Sequence, residues 1–181
     1  MAEGSVDEFA WNRVEADKLS RTKKMTKQLP DHWHVRFLEL AGRIATWSKD
    51  PSRGVGAVIV SPSKQIISTG FNGLPQGIAD HPERLQRPVK YDLICHAELN
   101  AIVQCARNGV SPVGCTMYAT FSPCVQCSLA IIQAGLVEVV TYEVVGEGDE
   151  HWKRSHDLAC ALFTEAGVRY RTFPTSVNSH S

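Results

Sequence analysis

Apolar residues along this chain change their period several times, and each change marks an element. After Pro30, residues Trp33, Phe37, Leu40 and Ile44 recur at i, i+4, i+7 and i+11, one stripe of a helix ending near Trp47. Asp31 stands where an N-cap is expected, and Asp50-Pro51 breaks the run. VGAVIV (55–60) is continuously apolar and reads as a strand buried on both faces. Ser-Pro-Ser-Lys (61–64) then turns the chain, and QIISTGF (65–71) returns as the second strand of a hairpin. Residues 72–94 carry Gly, Pro and Asp without a period; a loop of that length in a compact domain is usually functional.

Beyond it, HAELNAIVQCARNG (96–109) sets Leu99, Ile102, Val103 and Ala106 on one helical face, with Gly109 as a stop. TMYATF (116–121) predicts a strand. SPCVQCSLAIIQAG (122–135) predicts a helix with Ser122 as N-cap, Pro123 at the first position and Gly135 at the end. VEVVTYEVV (137–145) is a strand, followed by a Gly-rich turn and a helix over 152–166. In a last strand Val168, Tyr170 and Thr172 alternate with Arg169 and Arg171. The order α-β-β-α-β-α-β-α-β, with a helix between each of the last three strands, predicts parallel neighbours there and right-handed crossovers. The fold class is α/β, a sandwich with helices on both faces of the sheet.

Composition narrows the function. Of 181 residues, 43% are hydrophobic and 21% charged, as in an ordinary globular protein. Lys plus Arg equals Asp plus Glu, 19 against 19, so no overall field draws the chain to nucleic acid or anionic lipid. No apolar run is long enough for a membrane span, and the N-terminus lacks the apolar core of a signal peptide, so the expected compartment is the cytosol. Its six cysteines are then expected as thiols or metal ligands rather than disulfides. Residues 1–30, where Phe9, Trp11, Val14 and Leu19 make a weak stripe, read as a peripheral N-terminal extension. Residues 31–174 are expected to form the main domain and 175–181 a C-terminal tail.

The sharpest local signal is His96-Ala97-Glu98 followed by Pro123-Cys124-Val125-Gln126-Cys127. Cysteines at i and i+3 in the first turn of a helix share a face, and the positive helix end there favours thiolates. Two thiolates and one imidazole make a three-ligand zinc site with a position left for water, whose pKa the ion brings near neutral. Residues two apart on a regular helix diverge, so His96 and Glu98 can both serve only if the helix begins at about His96. Glu98 can then take the water's proton and pass protons to the substrate and the departing amine. A structural zinc would want a fourth protein ligand from Cys95, Cys105 or Cys115. Cys105 lies nine residues along the helix from His96, too far to share its metal.

HxE with PCxxC is the zinc deaminase signature. SKDPSRGVGAVIV (48–60), GFNGLPQG (70–77), ICHAELNAI (94–102), GCTMYATFSPCVQCSLAIIQAG (114–135) and AGVRY (166–170) resemble the deoxycytidylate (dCMP) deaminases, across nearly the whole domain. ARNG (106–109) with the TMY and SPC that follow is similar to the phage-encoded branch. The resemblance implies a cytidine-deaminase-like three-layer α/β/α sandwich with a five-stranded mixed sheet, and zinc-dependent conversion of dCMP to dUMP. It assigns His96, Cys124 and Cys127 as ligands of one catalytic Zn²⁺ and Glu98 as the proton shuttle. Asn72 matches an asparagine that bonds the sugar hydroxyl, while Ala97, Ser122 and Pro123 lie where backbone groups read the pyrimidine.

Tyr142 stands where an aromatic can lie against the base, or in the core. Valines beside it imply a roomier pocket, suited to 5-methyl or 5-hydroxymethyl dCMP. Candidates for the phosphate are Lys49, Arg53, Arg87 and Lys90. Arg107 corresponds to a position near a subunit interface. Family enzymes imply a homo-oligomer, a hexamer, activated by dCTP with Mg²⁺ and opposed by dTTP. Some relatives carry a second, structural zinc on an N-terminal cysteine pair; no cysteine precedes Cys95, so that site is not expected. The compartment is the cytoplasm of the cell, or of the host for a phage-encoded chain.

Competing readings share HAE and PCxxC. A tRNA adenosine deaminase or a polynucleotide cytosine deaminase would need a basic face, and residues 31–181 carry 13 basic against 14 acidic side chains. Free cytidine deaminases tend to use three cysteines. A non-catalytic nucleotide-binding zinc domain would have no use for Glu98.

Overall fold

The computed structural model describes residues 29–143 and 150–175. The expected extension before residue 29, the Gly-rich turn, Val144, Val145 and the tail from residue 176 lie outside the described residues. The compact unit beginning at Asp31 has the order α1 (Asp31–Ala45), β1 (Gly56–Val60), β2 (Ile66–Phe71), α2 (Lys90–Leu93), α3 (Ala97–Arg107), β3 (Thr116–Ala119), α4 (Val125–Gln133), β4 (Glu138–Tyr142), α5 (Glu150–Ala166) and β5 (Arg169–Phe173). Five strands form one mixed sheet, β2-β1-β3-β4-β5. β1 pairs antiparallel with β2 and β3, while β3–β4 and β4–β5 are parallel, as the helical crossovers require.

Strand alternation sorts the core into two layers. Val58, Val60, Tyr118 and Val140 face α1, where Phe37, Leu38, Ala41 and Ile44 cover them. Ala57, Ile59, Met117, Ala119 and Val139 face α3, α4 and α5, meeting Ala101, Ile131, Ala159 and Phe163. All five residues of β1 are buried, which explains its unbroken apolar run.

Helix α3 departs from its expected face. Ala97, Glu98, Ala101 and Cys105 are buried, whereas Leu99 and Val103 are exposed. The cause is close approach: a Cβ on Gly70 of β2 would lie 2.3 Å from the Ala97 carbonyl oxygen and 2.5 Å from the Ala101 nitrogen. Backbone packs on backbone here, so only small side chains fit beneath the helix. Gly56 does the same for α1, with a built Cβ 2.1 Å from the Ala41 carbonyl oxygen. Asp31 is the first helical residue of α1, and its carboxylate pairs with Arg171 at 2.9 Å.

The long loop is partly ordered by a 3₁₀ turn (Pro82–Leu85) and α2, and it closes on itself next to the site. The Gly73 N–H donates to the Cys95 carbonyl at 3.1 Å, and the Cys95 N–H returns the bond at 2.9 Å.

Candidate active site

His96 follows that closure in extended conformation (φ −69°, ψ 154°) and is the N-cap of α3. The helix therefore begins where both His96 and Glu98 can turn to one point. The second half of the site corrects the expected helix start: α4 begins at Val125, with Cys124 as its N-cap (φ −74°, ψ 170°). Ser122 does not cap it, and Pro123 lies in the chain before it. The cap is supplied from another helix, because the Val125 N–H donates to Ser155 Oγ at 3.0 Å.

His96 Nδ1 lies 3.5 Å from Cys124 Sγ and 3.4 Å from Cys127 Sγ. For a tetrahedral ion with Zn–S near 2.3 Å and Zn–N near 2.0–2.1 Å, the N–S edge is about 3.5 Å. The donor set thus fits zinc in chemistry and in spacing. Among the described residues these three make up the cluster suited to a metal; Cys95, Cys105 and Cys115 do not join it. Burial falls from Cys127 through Cys124 to His96, which leaves one side of the cluster open.

The electrostatics follow from this crowding. Cys127 donates to the Cys124 sulfur; with the imidazole of His96 this holds the Cys124 thiol down to about 4, while Cys127 is pushed up. The Cys124 sulfur raises His96 in turn. Glu98 is buried, and desolvation lifts its carboxyl to about 7 against the opposing pull of its own backbone N–H and of His96. A carboxyl poised there can both take and give a proton near neutral pH.

Ala97 and Ser122 are buried beside these ligands, and the Ser122 hydroxyl is occupied by His156 and Tyr170. The Asn72 amide is engaged within the chain. Its oxygen accepts the Val55 N–H at 2.7 Å, and its nitrogen donates to the Arg53 carbonyl at 2.9 Å and to Asp50 at 3.3 Å. Lys90 is corrected as a phosphate candidate. Its ammonium is buried and bound to both oxygens of Asp50 at 2.8 and 3.0 Å, so it ties α2 to the 48–55 segment. Lys49 pairs with Asp80 on the surface, and Arg87 lies 5.8 Å from the Tyr91 ring. The Arg53 guanidinium lies 4.3 Å over the Phe121 ring, next to the ligand loop. Arg107 donates to Gln76 of its own long loop at 2.6 Å.

Of the two placements open to Tyr142 the structure has the core: the ring packs against the Phe37, Tyr118 and Val140 cluster on the α1 side of the sheet, not toward the ligand cluster. Alternation along β4 sends Thr141 to the metal side instead, where it meets Tyr170 at 3.0 Å. Thr141, Ser155, His156 and Tyr170 were missed as site residues because they come from the last three elements, where neither a ligand-type spacing nor a charged motif marks them. The AGVRY block (166–170) and the alternation of Val168 and Tyr170 were the signals that pointed that way.

Residues 31–143 match the family model for the cytidine and deoxycytidylate deaminase zinc-binding region. An uncharacterized deaminase of Aliivibrio fischeri, from the luxG 3′ region, is 36% identical over 80% of this chain and 96% of its own length. Mouse deoxycytidylate deaminase is 38% identical over 78% of this chain and 79% of its own. The apo crystal structure of dCMP deaminase from cyanophage S-TIM5 superposes with a TM-score of 0.63 at 25% identity, over 80% of this chain and all of that one. With a ligand cluster of the right spacing, a buried carboxyl beside it and this match over the domain, the chain belongs to the zinc-dependent cytidine and deoxycytidylate deaminase family.

Proposed function

We propose that this chain hydrolyses the exocyclic amine of dCMP, giving dUMP and ammonia. The observation that carries the reading is the convergence of His96, Cys124 and Cys127 beside the buried Glu98, in a chain similar to enzymes named deoxycytidylate deaminase. When bound, zinc supplies a Lewis acid that acidifies water near neutral pH. Glu98 then moves the protons: its carboxylate takes one from the attacking water and delivers it to the ring nitrogen, then takes the proton of the hydroxyl added to the ring carbon and delivers it to the leaving amine. Backbone groups of Ala97, Ser122 and Pro123 orient the pyrimidine, and Asn72 lies on the sugar side, where its bonds to Val55 and Arg53 shape the pocket wall. Arg53, with Lys49 and Arg87 further out, binds the monophosphate.

The enzyme works in the cytoplasm as a homo-oligomer, a hexamer. Leu99 and Val103 on α3 and Leu129 on α4, each between 38% and 47% exposed, supply apolar surface for subunit contacts near Arg107. dCTP with Mg²⁺ activates it and dTTP opposes. Among the described residues no helix is long and apolar enough to cross a membrane.

Ammonia release from dCMP, 5-methyl-dCMP, 5-hydroxymethyl-dCMP, dCTP, deoxycytidine and single-stranded DNA, with and without dCTP and Mg²⁺, tests the reading. Preference for a monophosphate is expected. Turnover of a polynucleotide alone, or none with zinc bound, overturns it. Sedimentation of the zinc-loaded enzyme checks the hexamer.

A further inference from the structure

The loop that carries Cys124 is gripped from behind by α5 and β5. On one side of the ligand, Ser122 is 4% exposed and its Oγ lies 2.7 Å from His156 Nδ1. The Tyr170 hydroxyl donates to the same Oγ at 2.8 Å and lies 3.0 Å from Thr141 Oγ1. On the other side, Ser155 Oγ accepts the Val125 N–H at 3.0 Å. Two adjacent residues of one helix thus tether positions 122 and 125, with the ligand Cys124 between them.

Donor counting fixes the direction of the bonds from Thr141 through Tyr170 to Ser122. A tyrosine has one hydroxyl proton, and Tyr170 gives it to Ser122, so Thr141 donates to Tyr170. His156 Nε2 faces Cys160 Sγ at 3.6 Å. In the tautomer that carries its proton on Nε2, Nδ1 is the acceptor and Ser122 donates to it. Thr141, Tyr170, Ser122 and His156 then form one head-to-tail relay, in which each bond polarises the next. Trp152 stands edge-on to His156, with ring centroids 5.4 Å apart, and lies 5.0 Å from the Phe121 ring beside the loop. Helix packing does not need this relay, since α5 is already seated by Ala159 and Phe163 in the core.

We propose that Ser155, His156 and Tyr170 are positioning residues for the metal and substrate loop. They set the direction of the Cys124 sulfur and the pose of the backbone at 122–123. The proposal rests on the zinc deaminase reading for its effect on turnover, but its effect on the ligand set can be measured without any substrate. Partners standing behind metal ligands change affinity or activity by about 10–100-fold when removed, and a misplacement of about 1 Å can cost on the order of a hundredfold in rate.

The test uses the full chain with H156A, H156Q, H156N and Y170F. Zinc affinity is read by chelator competition, and site geometry by the thiolate-to-metal and ligand-field bands of the Co²⁺-substituted protein. H156A, H156Q and Y170F should weaken zinc binding by about tenfold or more and shift the Co²⁺ bands, with kcat falling more than KM changes. H156N should recover most of this, because an asparagine amide places an acceptor where Nδ1 sits, whereas glutamine reaches only toward Nε2. Wild-type zinc affinity and Co²⁺ spectrum in H156A and Y170F, with only the melting temperature lowered, overturn the proposal. Y170F removes a single oxygen and decides the matter should H156A fail to fold. A wild-type protein without dCMP turnover would overturn the proposed substrate, while the affinity and Co²⁺ readouts still judge the relay.

Discussion

Replacing Gly70 with alanine tests whether the seat of α3 sets the catalytic geometry. The added Cβ would meet the Ala97 carbonyl oxygen at 2.3 Å, the Ala101 nitrogen at 2.5 Å and the Ala101 Cα at 3.1 Å. All three belong to the α3 backbone, so no side chain can swing aside. Ordinary contact begins near 3.4 Å, and the helix must therefore retreat by roughly 1 Å. It is not free to do so as a body: Ser68 Oγ donates to the Ala101 carbonyl at 2.8 Å, and Asn100 donates to the Phe71 carbonyl at 2.8 Å. The helix should tilt at its first turn, which carries Glu98 and follows His96. Overpacking of this kind costs about 1–3 kcal/mol, and a shift of about 1 Å in reacting groups costs on the order of a hundredfold in rate. Thermal unfolding and dCMP deamination by zinc-loaded G70A measure the two effects separately. Gly42, inside α1 with nothing within 4 Å of a built Cβ, is the control. G42A should keep full activity and gain about 0.5–1 kcal/mol from helix propensity. A G70A enzyme with wild-type melting temperature and kcat would refute the reasoning.

Further outcomes follow from other contacts. E98Q should keep zinc and fold, by metal analysis and circular dichroism, while turnover falls by about 10²–10⁴-fold, the usual worth of a positioned proton shuttle. D50N leaves the buried Lys90 ammonium without its carboxylate and should cost about 3–5 kcal/mol in denaturant unfolding. Burial alone would raise Asp50, but Lys90 and the N–H groups of Ser52 and Arg53 outweigh it and hold the carboxyl below its usual value. The pair's stability is therefore present above the ordinary aspartate range and lost as pH falls through the depressed value; the wild type should lose stability there more steeply than D50N. Y142F should leave kcat/KM for dCMP unchanged, because that side chain packs against α1.

The sequence by itself determined much of this protein. The unbroken VGAVIV run announced a strand covered on both faces, and alternating helices and strands announced the parallel half of the sheet. The His96, Cys124 and Cys127 cluster and the buried Glu98 beside it were legible because metal chemistry demands specific residue types at short, helix-compatible spacings. His96 and Glu98 even required the helix to begin at about His96, and it starts at Ala97 with His96 as its N-cap. Tertiary structure decided the rest. Leu99 and Val103 satisfy a helical period as well as Ala97 and Ala101 do; the close approach at Gly70 chose the small residues for the core. Strand alternation permits Tyr142 either face, and the neighbours of β4 sent Thr141 to the metal side. Lys90 reads as a surface cation until Asp50, 40 residues away, is folded against it. The support behind Cys124 joins residues 122, 125, 141, 155, 156 and 170. A hydrogen bond depends on direction and separation in space, and no local spacing encodes either across such distances in the chain.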